Sequence, residues 1–191
     1  MKYQVLEMVG ISGEFPVKQL HRLIESSSYA EKIITELKNE KLIRTHYRDR
    51  LRGYRLTKHA KELLLAQNMP RFHDYLTGNT ETNLIRSELP RRIRLHQKAE
   101  IYLTLLHANI PIFYDVKPNI FSRTCEADSS FIQDLPLFYS SREIKTLGYD
   151  TTKIRNSRSV GILLSPQCVY ALYNTGNSVL KWEYKTEVRL T

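Results

Sequence analysis

Residues 26–64 read SSSYAEKIITELKNEKLIRTHYRDRLRGYRLTKHAKELL. Three serines offer N-caps, because a short hydroxyl can accept from a free backbone N–H at a helix start. Ala30, Ile33, Ile34, Leu37 and Leu42 then recur at helical spacing and predict a helix running through SYAEKIITELKNEKLI, residues 28–43. IRTHYRD follows, β-branched and aromatic enough for a short strand. A turn is expected near Arg50–Gly53, with GYRL as the return strand, and Thr57 caps a further helix over TKHAKELLLAQ.

Upstream, Val5, Leu6 and Val9 predict a first helix around Tyr3–Val9, which GISGEFP interrupts. Pro16 suits the first turn of a second helix, PVKQLHRLI, with Val17, Leu20, Leu23 and Ile24 on one face. The order is thus helix, helix, serine-capped helix, basic hairpin, helix. This order, with Leu37-x-x-x-x-Leu42-Ile43 and Gly53-Tyr54-x-Leu56-Thr57-x-x-Ala60, resembles a winged helix-turn-helix DNA-binding domain over residues 1–66. The turn residues of GISGEFP depart from that pattern. The resemblance implies an α+β fold whose third helix enters the major groove and whose hairpin is a wing.

Charge supports a polyanionic partner on its own grounds. The chain has 191 residues and a net charge of +9, a balance suited to nucleic acid or an acidic membrane surface. Residues 1–98 hold 19 Lys and Arg against 11 Asp and Glu, and residues 99–191 hold 10 against 9. Lys41–Glu62 alone contributes +6. Guarding a strand edge needs one or two charges, not this density.

Cys125 and Cys168 stand alone, with no metal-ligand spacing, which fits a reducing compartment. No signal-peptide core or ~20-residue apolar run occurs, so the expectation is a cytoplasmic protein with no membrane partner. The six histidines form no H-x-x-x-H pair and the seven glycines no phosphate loop. No catalytic group, metal or cofactor is expected.

On the helix, Ser27, Ser28, Tyr29, Lys32 and Thr35 are the candidate base-reading residues. Hydroxyls read several bases, lysine donates to guanine, and the tyrosine can stack. On the hairpin, Arg44, His46, Arg48, Arg50, Arg52 and Arg55 are the candidate DNA contacts. Period-2 spacing puts Arg48, Arg50 and Arg52 on one side if the strand continues to the turn, where they track phosphates. Arg50, nearest the tip, is placed for a narrow minor groove.

Residues 67–90 read as a connector with at most one short helical turn, and residues 91–191 as a small α+β domain. A helix after Pro90 carries Arg91, Arg92 and Arg94 in its first turn, where cations oppose the macrodipole; phosphate is one candidate for what favours them. Strands dominate from IPIFYDV onward: FYSSREIKTLG is a strand end and short helix, and SVGILLSP, CVYALYN and VLKWEYKTEVRL form an antiparallel meander with an NTGN turn. The chain stops at Thr191 directly after a strong strand, so residues beyond it are expected to complete the domain. Through a few aromatic and glycine positions, the helix and meander (SRSVGILLSPQCVYALYN…KWEYKTEV) also resemble the replication-relaxation proteins of mobile elements.

The expected function is therefore duplex-DNA binding, as a transcriptional regulator or an accessory factor in plasmid or mobile-element replication or mobilisation. A palindromic target would imply a homodimer. Two alternatives come from other classes. Glu183-x-Lys185, like Glu143-x-Lys145, matches half of a restriction-type metal-dependent nuclease core, which also needs a nearby aspartate; Asp115, Asp134 and Asp150 are the candidates. An adaptor for RNA or protein would use the same basic surface without reading a duplex.

Overall fold

The apolar run that begins at Val5 folds as helix α1 (Lys2–Ser12) in the computed structural model, which describes residues 1–77, 82–118, 136–145 and 159–174. Among these residues the chain is of α+β type, with eight α-helices and two three-stranded antiparallel sheets. They fall into two compact units, Met1–Thr104 and Leu105–Thr191.

In the first unit α1 is the central element, with Val5, Met8, Val9 and Ile11 almost wholly buried. It outlasts the expected end at Val9. The Ser12 hydroxyl donates to the Met8 carbonyl at 2.6 Å, and Leu56 and Leu64 pack against the helix at Gly10. Gly13, at φ 83°, ends it by donating to the Val9 carbonyl, a left-handed conformation that glycine takes at little cost.

The expected second helix is largely replaced. Phe15–Pro16 is a short strand, β1, and only a 3-10 turn (Val17–Gln19) and one α-turn, α2 (Leu20–Leu23), follow it. Burial decides this. Phe15 is fully buried beside the central strand, and proline is tolerated on an edge strand because it needs no outward donor there.

Helix α3 (Ser27–Asn39) starts where the serines predict, the Ser26 hydroxyl accepting from the Tyr29 N–H. It stops earlier than expected. The Leu42 N–H donates to the Leu37 carbonyl and the Lys41 N–H to the Lys38 carbonyl, both at 2.9 Å. This is a Schellman ending, with buried Leu37 and Leu42 as its apolar clasp. The Leu37–Leu42 spacing thus encodes the stop. Lys41 adopts φ 54° there, which costs a non-glycine residue roughly 1–2 kcal/mol. Lys41→Gly is expected to raise stability by about 1 kcal/mol, read as a higher urea midpoint; a lower midpoint contradicts this account of the turn.

Strands β2 (Ile43–Arg48) and β3 (Leu51–Leu56) form the hairpin, and the sheet order is β1-β3-β2. The turn is Asp49–Arg50, both at positive φ, two residues tighter than the sequence suggested and of the hand that matches strand twist. Gly53 is not in the turn: it lies in β3 opposite His46 and Pro16. Thr57 ties the motif together. Its hydroxyl donates to the Lys41 carbonyl at 2.7 Å and accepts from the Ala60 N–H, capping α4 (Lys58–Gln67).

The expected connector is more structured than predicted. It contains α5 (Met69–Leu76) and α6 (Asn83–Ser87). Phe72 and Tyr75 of α5 are buried, Tyr3 meets Phe72 edge-on, and Arg71 pairs with Glu7 at 2.5 Å. Helix α7 (Leu89–His107) begins just before Pro90, and the first unit extends past residue 66 to Thr104.

In the second unit, strands β4 (Leu137–Ser140), β5 (Ser159–Leu164) and β6 (Val169–Tyr173) pair in the order β4-β5-β6. The Ser140 hydroxyl and Glu143 carboxylate cap each other's backbone N–H, a reciprocal capping box that starts α8 (Ser141–Lys145). Glu143 also accepts from the buried Lys117 ammonium at 2.5 Å. The NTGN turn, the strand VLKWEYKTEVRL, Asp134, Asp150, Glu183 and Lys185 lie outside the described residues. No helix among the described residues is long and apolar enough to cross a membrane.

Candidate nucleic-acid interface

Amphipathic spacing divides α3 into two faces. Ala30, Ile33, Ile34 and Leu37 face the core, while Ser27, Ser28, Tyr29, Lys32 and Thr35 are all exposed. The Thr35 hydroxyl donates to the Glu31 carbonyl at 2.8 Å, and the Ser26 and Ser28 hydroxyls lie 3.3 Å apart. Both groups remain at the surface, with lone pairs open to a ligand.

The hairpin has two faces as well. Opposed residues share a face, so Ile43, Thr45 and Tyr47 lie with Leu56, Tyr54 and Arg52, and Arg44, His46 and Arg48 lie with Arg55, Gly53 and Leu51. The first face is turned toward α3, since the Lys38 ammonium sits 5.6 Å from the Tyr54 ring centroid. Burial raises the Tyr54 phenol pKa and keeps it neutral. Tyr47, 68% exposed, and Arg52 continue this face toward the tip.

The expected row of Arg48, Arg50 and Arg52 is therefore not formed. Arg52 lies on the α3 side, Arg48 and Arg44 on the opposite side, and Arg50 in the turn. The reason is that the strand does not run on to a turn at Gly53: two turn residues intervene and reverse the chain. All four arginines are exposed, and Arg48 makes a surface pair with Asp49 at 3.5 Å.

Arg55 is a second correction. It is 6% exposed and its Nε donates to Glu14 Oε2 at 2.7 Å, with a further bond from Nη2 to the Arg86 carbonyl at 2.8 Å. A guanidinium so occupied is part of the core. His46, another candidate contact, adds no charge. Burial, then the cations of Arg55 and Arg92, push its pKa down, and its Nε2 is enclosed without a hydrogen-bond partner.

Beneath this face lies a buried ionic cluster. Glu14 and Arg92 are both 0% exposed. Arg92 Nη2 meets Glu14 Oε1 at 2.6 Å, and His96 Nε2 lies 2.8 Å from the same oxygen. Burial alone would raise the Glu14 pKa, but hydrogen bonds from His96, Arg92 and Arg55 outweigh it and bring it down to about 2. Gly53 makes room: a Cβ there would lie 2.5 Å from Glu14 Oε1. The phosphate expected to favour arginines at the start of α7 is, for Arg92, replaced by this internal carboxylate. Arg94 remains exposed.

Glu14 was hidden inside GISGEFP, where an isolated acid looks like any turn residue. The one available signal was Arg92 itself, a cation at the wrong end of a helix dipole. In the second unit, the Glu143 carboxylate is committed to Lys117 and the Ser140 N–H. No group of three or more metal-ligating side chains that could hold an ion occurs among the described residues. Comparison of the chain with family models, curated proteins and solved structures gives no significant match.

Proposed function

We propose that residues 1–104 are a winged helix-turn-helix unit that binds duplex DNA. Helix α3 enters the major groove, presenting Ser28, Lys32 and Thr35 to base edges with Ser27 and Tyr29 beside them. The β2–β3 hairpin is the wing: Arg44, Arg48 and Arg52 approach phosphates, and Arg50 at the turn is placed for the minor groove. The observation that carries this reading is the joining of two surfaces within one unit. The polar face of α3 and the Tyr47–Arg52 face of the hairpin flank the Lys38–Tyr54 contact, so one ligand can touch both.

The concentration of charge agrees, with a net of +8 in residues 1–98 against +1 in the remainder. The protein would act as a transcriptional regulator or as an accessory factor in plasmid or mobile-element replication or mobilisation, in the cytoplasm and, on a palindromic site, as a homodimer. Base reading has a specific signature. Lys32→Ala or Ser28→Ala is expected to cost ~1–3 kcal/mol on the preferred duplex and little on random DNA. Equal losses on both would reduce α3 to a phosphate contact. Tighter binding of an RNA helix than of DNA would overturn the reading, because the deep, narrow A-form groove does not admit a helix.

A further inference from the structure

We propose that Arg92 is the positioning residue of the DNA-binding hairpin, fixing the wing through its backbone without touching DNA; this rests on the DNA-binding reading above. The hairpin has a structural weakness that makes such a device necessary. Its third strand, β1, pairs only at Tyr54 and Gly53. Beyond Gly53 the arginine-bearing end is a two-stranded ribbon, which is marginal in water by itself. Its turn adds strain, since Asp49 and Arg50 both take positive φ without a glycine.

Arg92 acts where β1 gives out. Its Nη1 donates to the Arg48 carbonyl at 2.6 Å, and its Nη2 to the His46 and Leu51 carbonyls at 3.2 and 3.1 Å. One guanidinium therefore grips β2 and β3 together, on the two residues that flank the turn and on His46. The planar fork suits this task, because its donors point in fixed directions. Glu14 holds the other edge of the same fork through Arg92 Nε and Nη2. Glu14 itself directly precedes β1 and fits only because residue 53 is glycine. The grip thus references the hairpin tip to the strand beside it and to α7, and Arg92 is too deeply buried to meet a phosphate.

The test uses the full chain and Arg92→Lys, which keeps the charge beside Glu14 but not the fork. Amide exchange in α1 and α3 is expected to stay as in the wild type. Amides of residues 47–52 are expected to exchange about tenfold faster or more, the effect of losing a charge-assisted hydrogen bond. Duplex affinity should fall by a similar factor, and Arg50→Ala should then cost far less in the Arg92→Lys background than in the wild type. That non-additivity separates positioning from general stabilisation. Unchanged hairpin exchange, or an Arg50→Ala penalty equal in both backgrounds, overturns the proposal. If Arg92→Lys does not fold, the wild-type guanidinium protons decide: slow exchange and hindered rotation at Arg92 support the grip, and free rotation sinks it. A wild-type chain that binds no duplex would defeat the DNA reading instead, and the exchange comparison would still decide whether Arg92 holds the hairpin.

Discussion

Glu14→Gln is expected to destabilise the chain by about 3–5 kcal/mol, the range for removing one partner of a buried ion pair. The magnitude follows from what remains behind. Arg55 and Arg92, at 6% and 0% exposure, keep their charges in the interior, and an amide cannot neutralise either. The pH dependence has a definite sign. With its pKa lowered to about 2, Glu14 contributes stability that is fully present above the ordinary glutamate pKa, about 4.3, and is lost as pH falls through about 2. The wild type should therefore lose this contribution between roughly pH 5 and pH 2, and the variant should lack that part of the acid response. Urea midpoints of both proteins across that range are the measurement. A loss below 1 kcal/mol at neutral pH would show that the two arginines find water or another anion.

The second large effect is on DNA. Replacing Arg48, Arg50 and Arg52 together by alanine should shallow the slope of log K against log salt by about 1.8 or more, at roughly 0.9 for each phosphate that Arg48 and Arg52 neutralise. Affinity at low salt should fall by orders of magnitude on every sequence. The structure refines what single variants should do. Arg52 and Arg48 lie on opposite faces of the hairpin, so their contributions should add independently. Arg50→Ala should weaken A·T-rich flanks more than G·C-rich ones, because groove width varies with sequence. Since β2 is an edge strand, the competing role for these arginines is to prevent edge-to-edge association. An unchanged salt slope with new aggregation in the triple variant would establish that role and remove the wing.

Local signals carried most of the first unit. The serine N-cap of α3, its apolar stripe, the Thr57 cap and the basic hairpin are all short-range patterns, and each is found where the sequence put it, save that the hairpin turns at Asp49–Arg50 and not near Gly53. The Leu37–Leu42 spacing clasps the helix end, which periodicity alone does not tell from a longer helix. Long-range choices were illegible. Phe15–Pro16 becomes a strand only because β3 lies beside it, and no local pattern announces a two-residue strand containing proline. Arg55 looked like its exposed neighbours in composition. Only the carboxylate of Glu14, 41 positions away in sequence, tells it from Arg52. Arg92 meets Glu14 across 78 positions, so the sequence showed an odd cation without its partner. In the second unit β4, β5, β6 and the short α8 occur as read, because β-rich composition and a capping serine are again local, but IPIFYDV holds a 3-10 turn, Tyr114–Val116, in place of a strand.

Duplex DNA is proposed to lie on one face of the first unit, made of α3 and the hairpin. Amide spectra of the full chain, titrated with a short duplex at low salt, test it residue by residue. Shifts are expected to concentrate on Ser27–Thr35 and Arg44–Arg52 and to fade as salt is raised. Shifts confined to the second unit, or none at concentrations where a basic wing must bind, would contradict it.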